Sequence, residues 1–156
     1  MVENFCATDH RLALLGSWVP CLMTESAQVV RDLLSLLADG QSDAAIALLH
    51  EDVEWRNSGL PTVRGRSRVG GLLRDMEKRG VGFEARMHHV AADGDIVLTD
   101  RTDVLRYGRF ETEFWVCGTF RVSDGLVVLW DDHFSEANFL GASLKGLALA
   151  LLPGRK

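Results

Sequence analysis

Three residues in the second half of the chain have the types and spacing for acid–base chemistry. Arg101 and Asp103 lie two apart in LTDRTDVLR, Leu98 to Arg106, which reads as a strand although four of its nine residues are charged. Strand side chains alternate between two faces, so Val97, Thr99, Arg101, Asp103 and Leu105 share one side and Leu98, Asp100, Thr102 and Val104 the other. In LVVLWDDHF the same alternation groups Leu126, Val128, Trp130, Asp132 and Phe134, with Val127, Leu129, Asp131 and His133 opposite. In HEDVEWRNSG it groups Val53, Trp55 and Asn57. If these three faces look into one cavity, it holds Arg101, Asp103 and Asp132 beside Trp55, Asn57 and an apolar wall. The expected lining is Val97, Leu105, Phe114, Val116, Leu126, Val128, Trp130 and Phe134.

Two carboxylates bracketing one arginine carry a net charge of -1 when fully ionised, which is costly in a low-dielectric place. One shared proton brings the trio to neutrality. It then offers an acid and a base together at neutral pH, well above the roughly 3.9 of a free aspartic acid. Arginine stays charged and orients both carboxylates without entering the proton traffic. An ionised carboxylate can take a proton from water while a protonated one donates to a leaving oxygen. A strained ether ring suits such concerted attack without metal or covalent intermediate, and an epoxide fits.

Stepping outward to the elements that must hold these groups, residues 25 to 39 predict an amphipathic helix with Val29, Val30, Leu33, Leu34, Leu36 and Leu37 on its stripe. Gly40 ends it, and Ser42 is expected to cap a second helix through about Leu49. A short strand around Val53 closes in a Ser58-Gly59 turn. A third helix follows, with Ser67 as cap and Gly80 as stop. From Val81 the pattern is strands, with hairpin signals at Asp93-Gly94 and Asp124-Gly125 and a turn at Tyr107-Gly108. The segment SEANFLGASLKGLALALL closes the chain as a partly helical apolar tail, either core packing or a lid. Helices first and an antiparallel meander after give an α+β domain over residues 24–156, its curved, mostly antiparallel sheet packed on the N-terminal helices around an apolar pocket.

Bulk properties narrow the function classes. The chain has 156 residues, 47% hydrophobic and 25% charged, as expected of one soluble domain with a sizeable core. A net charge of -5 argues against a nucleic-acid or anionic-membrane surface. The three cysteines, Cys6, Cys21 and Cys117, form no framework and point to free thiols in a reducing cytoplasm. No run approaches a membrane span. RLALLGSWVPCLM faintly resembles a signal-peptide core, but Glu3 and Asp9 stand where basic residues belong and no cleavage site follows. Residues 1–23 read instead as an extension ending at Met23, itself a possible translation start, or as an arm onto a partner subunit.

At the charged trio the sequence resembles the limonene-1,2-epoxide hydrolase family. DRTDVLR matches the family's arginine and acid, LWDDHF its base, and VEWRNSGLP the segment that holds its water. The resemblance runs from about Thr24 to Gly141. It implies a cone-shaped cystatin-like, or NTF2-like, fold, usually dimeric, and one-step hydrolysis of an epoxide to a vicinal diol without cofactor. Carried across, Asp132 is the general base on water, Asp103 the general acid on the epoxide oxygen, and Arg101 their bridge, with Asn57 helping to hold the water. Where the family usually has a water-binding tyrosine, this chain has Trp55. Indole only donates, so the water would receive from Trp55 and give its hydrogens to Asp132 and the Asn57 carbonyl.

Other readings compete. The Asp–Arg–Asp set could be a structural network in a lipid-binding or association module of the same fold. A ketosteroid-isomerase-like isomerase wants a tyrosine in its oxyanion hole, and the only tyrosine, Tyr107, falls in a turn. Asn57 could serve its turn, and Trp55 could be plain core. No metal is expected, because His88 and His89, as neighbours in a strand, should face opposite ways and His133 faces away from Asp132. Cys117 is expected opposite the pocket as an inert thiol, and Arg64, Arg66 and Arg68 in a solvated loop. Among the residues expected in the wall no second charged anchor is evident, so the expected substrate is a neutral apolar epoxide: a terpene oxide, or a larger fatty-acyl or sterol epoxide.

Overall fold

The apolar stripe expected near the N-terminus forms α1, Glu25–Ala38, which buries Ala27, Val30, Leu33 and Leu34. The computed structural model describes residues 25–151; the readings of residues 1–23, with Cys6 and Cys21, lie outside that range. After α1 come α2, Ser42–Ala47, then the strands β1, Leu49–Asn57, and β2, Val63–Arg64. Next are α3, Arg66–Lys78, and the long strands β3, Gly82–Asp93, β4, Ile96–Tyr107, β5, Phe110–Ser123, and β6, Leu126–His133. The chain closes in α4, Glu136–Leu151. Ser42 and Ser67 do not cap. Both lie inside their helices behind Gln41 and Gly65, which make no side-chain cap bond. Ser42 is instead buried, and its backbone N–H donates to Glu77 of α3 at 3.2 Å. Arg66 and Arg68 likewise open α3 rather than a loop, and Arg64 sits in β2.

The six strands form one curved mixed sheet in the order β2-β1-β6-β5-β4-β3. The meander from β3 to β6 is antiparallel, and β1 joins β6 in parallel. That single parallel join matters for the site, because it sets Trp55 beside Trp130 and Asn57 beside Asp132. Helices α1 and α3 cover the inner face, closing a core of Val30, Leu33, Leu49, Val53, Val69, Phe120, Val127 and Trp130 among others. Among the described residues no helix is long and apolar enough to cross a membrane.

Two β-bulges reset the alternation that the sequence suggests. In β6, Leu129 pairs with Arg121 but Val127 pairs with Val122, which leaves Val128 as an extra residue. A bulge sets two residues against one and breaks the period of two. Below it the faces exchange: Val127 is fully buried, whereas Leu126 and Val128 are not. In β3, Met87 pairs with Arg101 and His89 with Asp100, leaving His88 extra. Consequently His88 and His89 are both exposed rather than on opposite faces. They bond to Thr102 at 3.0 Å and to Asp100 at 2.9 Å.

The apolar C-terminal segment is helical and packs on β5 through its small residues. A Cβ on Gly146 would collide with the Glu111 carbonyl, so the helix sits directly on the strand backbone there. Thr112 and Ser143 approach to 3.4 Å across the same contact. The opposite face leaves Leu140, Leu144, Leu147 and Leu151 exposed.

Candidate active site

Arg101, Asp103 and Asp132 come together at the centre of the sheet's inner face. Arg101 is 0% exposed, Asp103 6% and Asp132 5%. The guanidinium grips Asp103 by two bonds, Nε to Oδ1 at 2.7 Å and Nη2 to Oδ2 at 3.0 Å. The same Nη2 reaches Asp132 Oδ2 at 2.8 Å. Nη1 donates to Thr99 Oγ1 at 3.0 Å, and the plane lies 5.8 Å from the Phe120 ring centroid. A fully buried guanidinium is tolerable only with its donors largely met, and here two carboxylates and a hydroxyl take four of its five N–H groups.

Neighbouring strands leave room for this cluster at one position. Gly118 of β5 pairs with Thr99 on one side and Asp132 on the other. A Cβ there would overlap Arg101 Nη1 and come within 2.6 Å of Thr99 Oγ1 and 2.9 Å of Asp132 Oδ1. The glycine is required for space, not for an unusual backbone angle.

Asp132 is held from three directions. Trp130 Nε1 donates to its Oδ2 at 2.7 Å, Arg101 donates to the same oxygen, and Ser58 N–H donates to its backbone carbonyl at 3.0 Å. Ser58 Oγ also accepts the Phe134 N–H at 3.2 Å, which ties the β1–β2 turn to the end of β6. Trp55 leans on Trp130, with ring centroids 5.0 Å apart and planes 30° apart. Two buried polar atoms, Asp132 Oδ1, which lies toward Gly118, and Trp55 Nε1, have no hydrogen-bond partner among the described residues. One is an acceptor and the other a donor, and a buried group of either kind normally finds a partner.

Burial dominates the titration of both acids. It pushes Asp132 up from 3.8 to about 6, opposed by the charge and hydrogen bonding of Arg101, with the Asp103 charge adding to the rise and the Trp130 N–H reducing it. It also raises Asp103, against the hydrogen bonds and charge of Arg101. Arg101 is itself held above its ordinary value: burial lowers it, but the two carboxylates outweigh that. Because one charge sits on each group, the acids titrate as a pair. Burial thus favours retention of a proton by the acid pair.

The trio opens into a cavity of about 280 Å³. Asp103, Asp132, Trp55, Asn57, Leu105, Phe114, Val116, Trp130 and Phe134 all border it. Three residues expected in the wall are not there. Val97 has the right parity but lies at the start of β4, sealed in the core beside its partner Phe120. Leu126 and Val128 are turned away by the bulge in β6. The rest of the wall comes from elements that strand alternation does not reach: Leu37 and Ala38 of α1, Leu73, Met76 and Glu77 of α3, then Val81 and Phe83 after it. From α4 only Phe139 borders the cavity, in an edge-to-face cluster with Phe114 and Phe134. Thr99, Gly118 and Ser58 were also without a signal in the sequence, beyond the parity that places Thr99 beside Arg101. Tyr107 is the last residue of β4 rather than part of the turn; it is 60% exposed and is not in the wall. Cys117 is half-buried and outside the wall, and His133 is exposed. Among the described residues no three His, Cys, Asp or Glu side chains form a metal-binding group.

Comparison with known proteins points the same way as this geometry. Residues 24–145 match the model of the limonene-1,2-epoxide hydrolase catalytic domain. The chain is 40% identical over 127 residues to the epoxide hydrolase EphG of Mycobacterium tuberculosis, covering 81% of this chain and 85% of that protein. A solved structure of an M. tuberculosis epoxide hydrolase of that type superposes with a TM-score of 0.79 at 40% identity, over 84% of this chain and 98% of the other. A more distant NTF2-like protein of unknown function from Burkholderia pseudomallei shares the fold at 18% identity. Its TM-score is 0.67, over 78% of this chain and 98% of the other.

Proposed function

Since the chain belongs to the limonene-1,2-epoxide hydrolase family and is an epoxide hydrolase, we propose that it adds water in one step to an apolar epoxide. Asp132 acts as general base, Asp103 as general acid and Arg101 as the bridge that orients both. The observation that carries this reading is the buried Arg101 bridging Asp103 and Asp132, both of which border the cavity together with Asn57. In this reading a water at Asp132 receives from the otherwise unpartnered Trp55 N–H and donates to the Asp132 carboxylate and to the Asn57 carbonyl oxygen. All of its ordinary valences are then used except the lone pair that attacks.

The division of labour between the acids follows from their surroundings. Asp132 has the polar company of Trp130, Trp55 and Asn57, whereas the cross-strand neighbours of Asp103 are Ala85 and Phe114. The water therefore belongs at Asp132 and the apolar epoxide against Asp103. Hydrogen bonding to a charged form favours that form, so a water donating to Asp132 keeps it ionised and leaves the shared proton to Asp103. In the reaction the water oxygen bonds to a ring carbon and gives its proton to Asp132. The carbon–oxygen bond breaks, and the released oxygen takes the proton of Asp103. Returning one proton from Asp132 to Asp103 resets the site.

The cavity's aliphatic and aromatic wall suits a terpene, fatty-acyl or sterol epoxide. The protein works as a cytoplasmic homodimer in this reading, for which the exposed Leu98 and Trp115 on the outer sheet face supply apolar surface. The test is diol formation, detected by mass, from a panel of apolar epoxides with wild type and Asp132→Asn. Diol from wild type alone is expected. Equal diol from both proteins would remove Asp132 from the role of base, and turnover confined to small, water-soluble epoxides would refute the substrate class.

A further inference from the structure

We infer that Glu77 makes the enzyme select by charge at the end of the substrate remote from the ring, favouring a neutral epoxide with a hydroxyl there over one with a carboxylate. The inference rests on the epoxide-hydrolase reading of the same cavity and adds a specificity to it.

Three charged side chains border the cavity, Glu77, Asp103 and Asp132, and all are acids. Arg101, which holds both aspartates, is wholly buried and is not in the wall, and it bonds to Asp103, Asp132 and Thr99. An anionic substrate therefore meets no free positive group in the wall. Glu77 is exposed, which puts it where the cavity meets solvent, and it comes from α3 rather than from the sheet that carries the trio. Its carboxylate is not loose: Oε2 accepts the Ser42 N–H at 3.2 Å. A carboxylate has several acceptor positions, so this bond leaves capacity for a donor on the substrate.

The backbone reinforces the sign. Glu77 lies in the last turn of α3, and the wall residues Leu37 and Ala38 lie in the last turn of α1. Two helix C-termini, the negative ends of their dipoles, thus border this cavity. Lys78 and Arg79 follow Glu77 in the chain but do not border the cavity. A substrate hydroxyl finds an acceptor at the rim, and a substrate carboxylate finds a like charge. Both charges are exposed, so the effect is modest: a like-charge pair several ångströms apart in a high effective dielectric corresponds to about fivefold in kcat/KM.

The experiment compares three epoxides of one chain length: an epoxy-alkanol, the matching epoxy-alkanoate, and an epoxy-alkane with no remote polar group. We expect wild type to favour the alkanol over the alkanoate by about fivefold, mostly in KM, with the ratio shrinking at high salt as exposed charges are screened. Glu77→Gln keeps an acceptor for Ser42 and should bring the ratio close to one, and Glu77→Lys should invert it. A wild-type ratio near one, or a ratio indifferent to salt and to Glu77→Gln, overturns the inference while the epoxide reading stands. Failure of all three epoxides to yield diol would remove the epoxide reading and this inference with it.

Discussion

The two faces of the sheet carry the same kinds of residue and put them to different use. On the outer face Asp100 accepts from Trp115 Nε1 at 2.6 Å and faces His89 at 2.9 Å. Nearby, Glu84 holds Arg86 and Arg106. On the inner face Asp132 accepts from Trp130 Nε1 at 2.7 Å and, with Asp103, holds Arg101. Acid, arginine and indole recur, yet the acids titrate in opposite directions. Outside, hydrogen bonds to His89 and Trp115 lower Asp100, and those to Arg86 and Arg106 lower Glu84 to about 2. Inside, burial overrides the same kind of partner and raises Asp132 to about 6. An ion pair on a wet face stabilises charge and little else. Sealed from water, the same pair acquires a proton to trade.

Neutralising the inner and outer acids should separate these cases most widely. Asp132→Asn, Asp103→Asn and Arg101→Gln should each lower kcat/KM by about a thousandfold or more, as expected when acid and base fail as one unit. Asp100→Asn should stay within about twofold. Diol formation at saturating and limiting substrate checks both, and a comparable loss at Asp100 would break the contrast. Next in size is Gly118→Ala, which pushes a methyl into the guanidinium. We expect a loss of activity of about a hundredfold and a destabilisation of about 1–3 kcal/mol, typical of overpacking; denaturant titration with a turnover assay measures both.

Stability should respond to pH with opposite signs on the two faces. In the folded chain Asp132 binds its proton more tightly than in the unfolded chain, so its contribution is full below about pH 4 and is lost as pH rises to about 6. A rise from 3.8 to about 6 corresponds to roughly 3 kcal/mol. Asp132→Asn should therefore be more stable than wild type above pH 6, by up to about 3 kcal/mol, and nearly equal to it near pH 4. Glu84 is depressed, so its contribution is present above the unfolded value of 4.5 and lost as pH falls towards 2. Glu84→Gln should accordingly be less stable at neutral pH, by a smaller margin that salt erodes. The smallest effect is kinetic. Free enzyme loses the shared proton as pH rises, so kcat/KM should fall on the alkaline side. A bound apolar substrate deepens the burial, so the limb in kcat should lie at higher pH.

How much of this was legible in the chain depended on how regular the strands are. Between Val97 and Leu105 β4 pairs without interruption with β5, and alternation alone places Thr99, Arg101 and Asp103 on one face. In β6 it holds from Leu129 onward, which is enough for Trp130 and Asp132, and fails at Val128, where the pairing admits an extra residue. The same failure at His88 turned two histidines to one side. Bulges depend on how two strands meet, and that is not written in either strand by itself. Val97 shows a different limit: its face is right, but alternation says nothing of whether a helix or a cavity covers it. Glu77, Met76 and Phe83 reach the cavity only through the docking of α3 and the start of β3 on the sheet, a long-range arrangement with no local mark. Gly118 reads as an ordinary strand glycine until Arg101 is seen beside it.

The central claim is that the sealed inner face activates water directly, and a single turnover in ¹⁸O-labelled water with enzyme in excess over an apolar epoxide tests it most directly. We expect the first diol formed to carry the label and the protein to carry none. Unlabelled diol in that first turnover, with label left in a carboxylate of the protein, would show that an acid attacks the ring itself and would contradict the account.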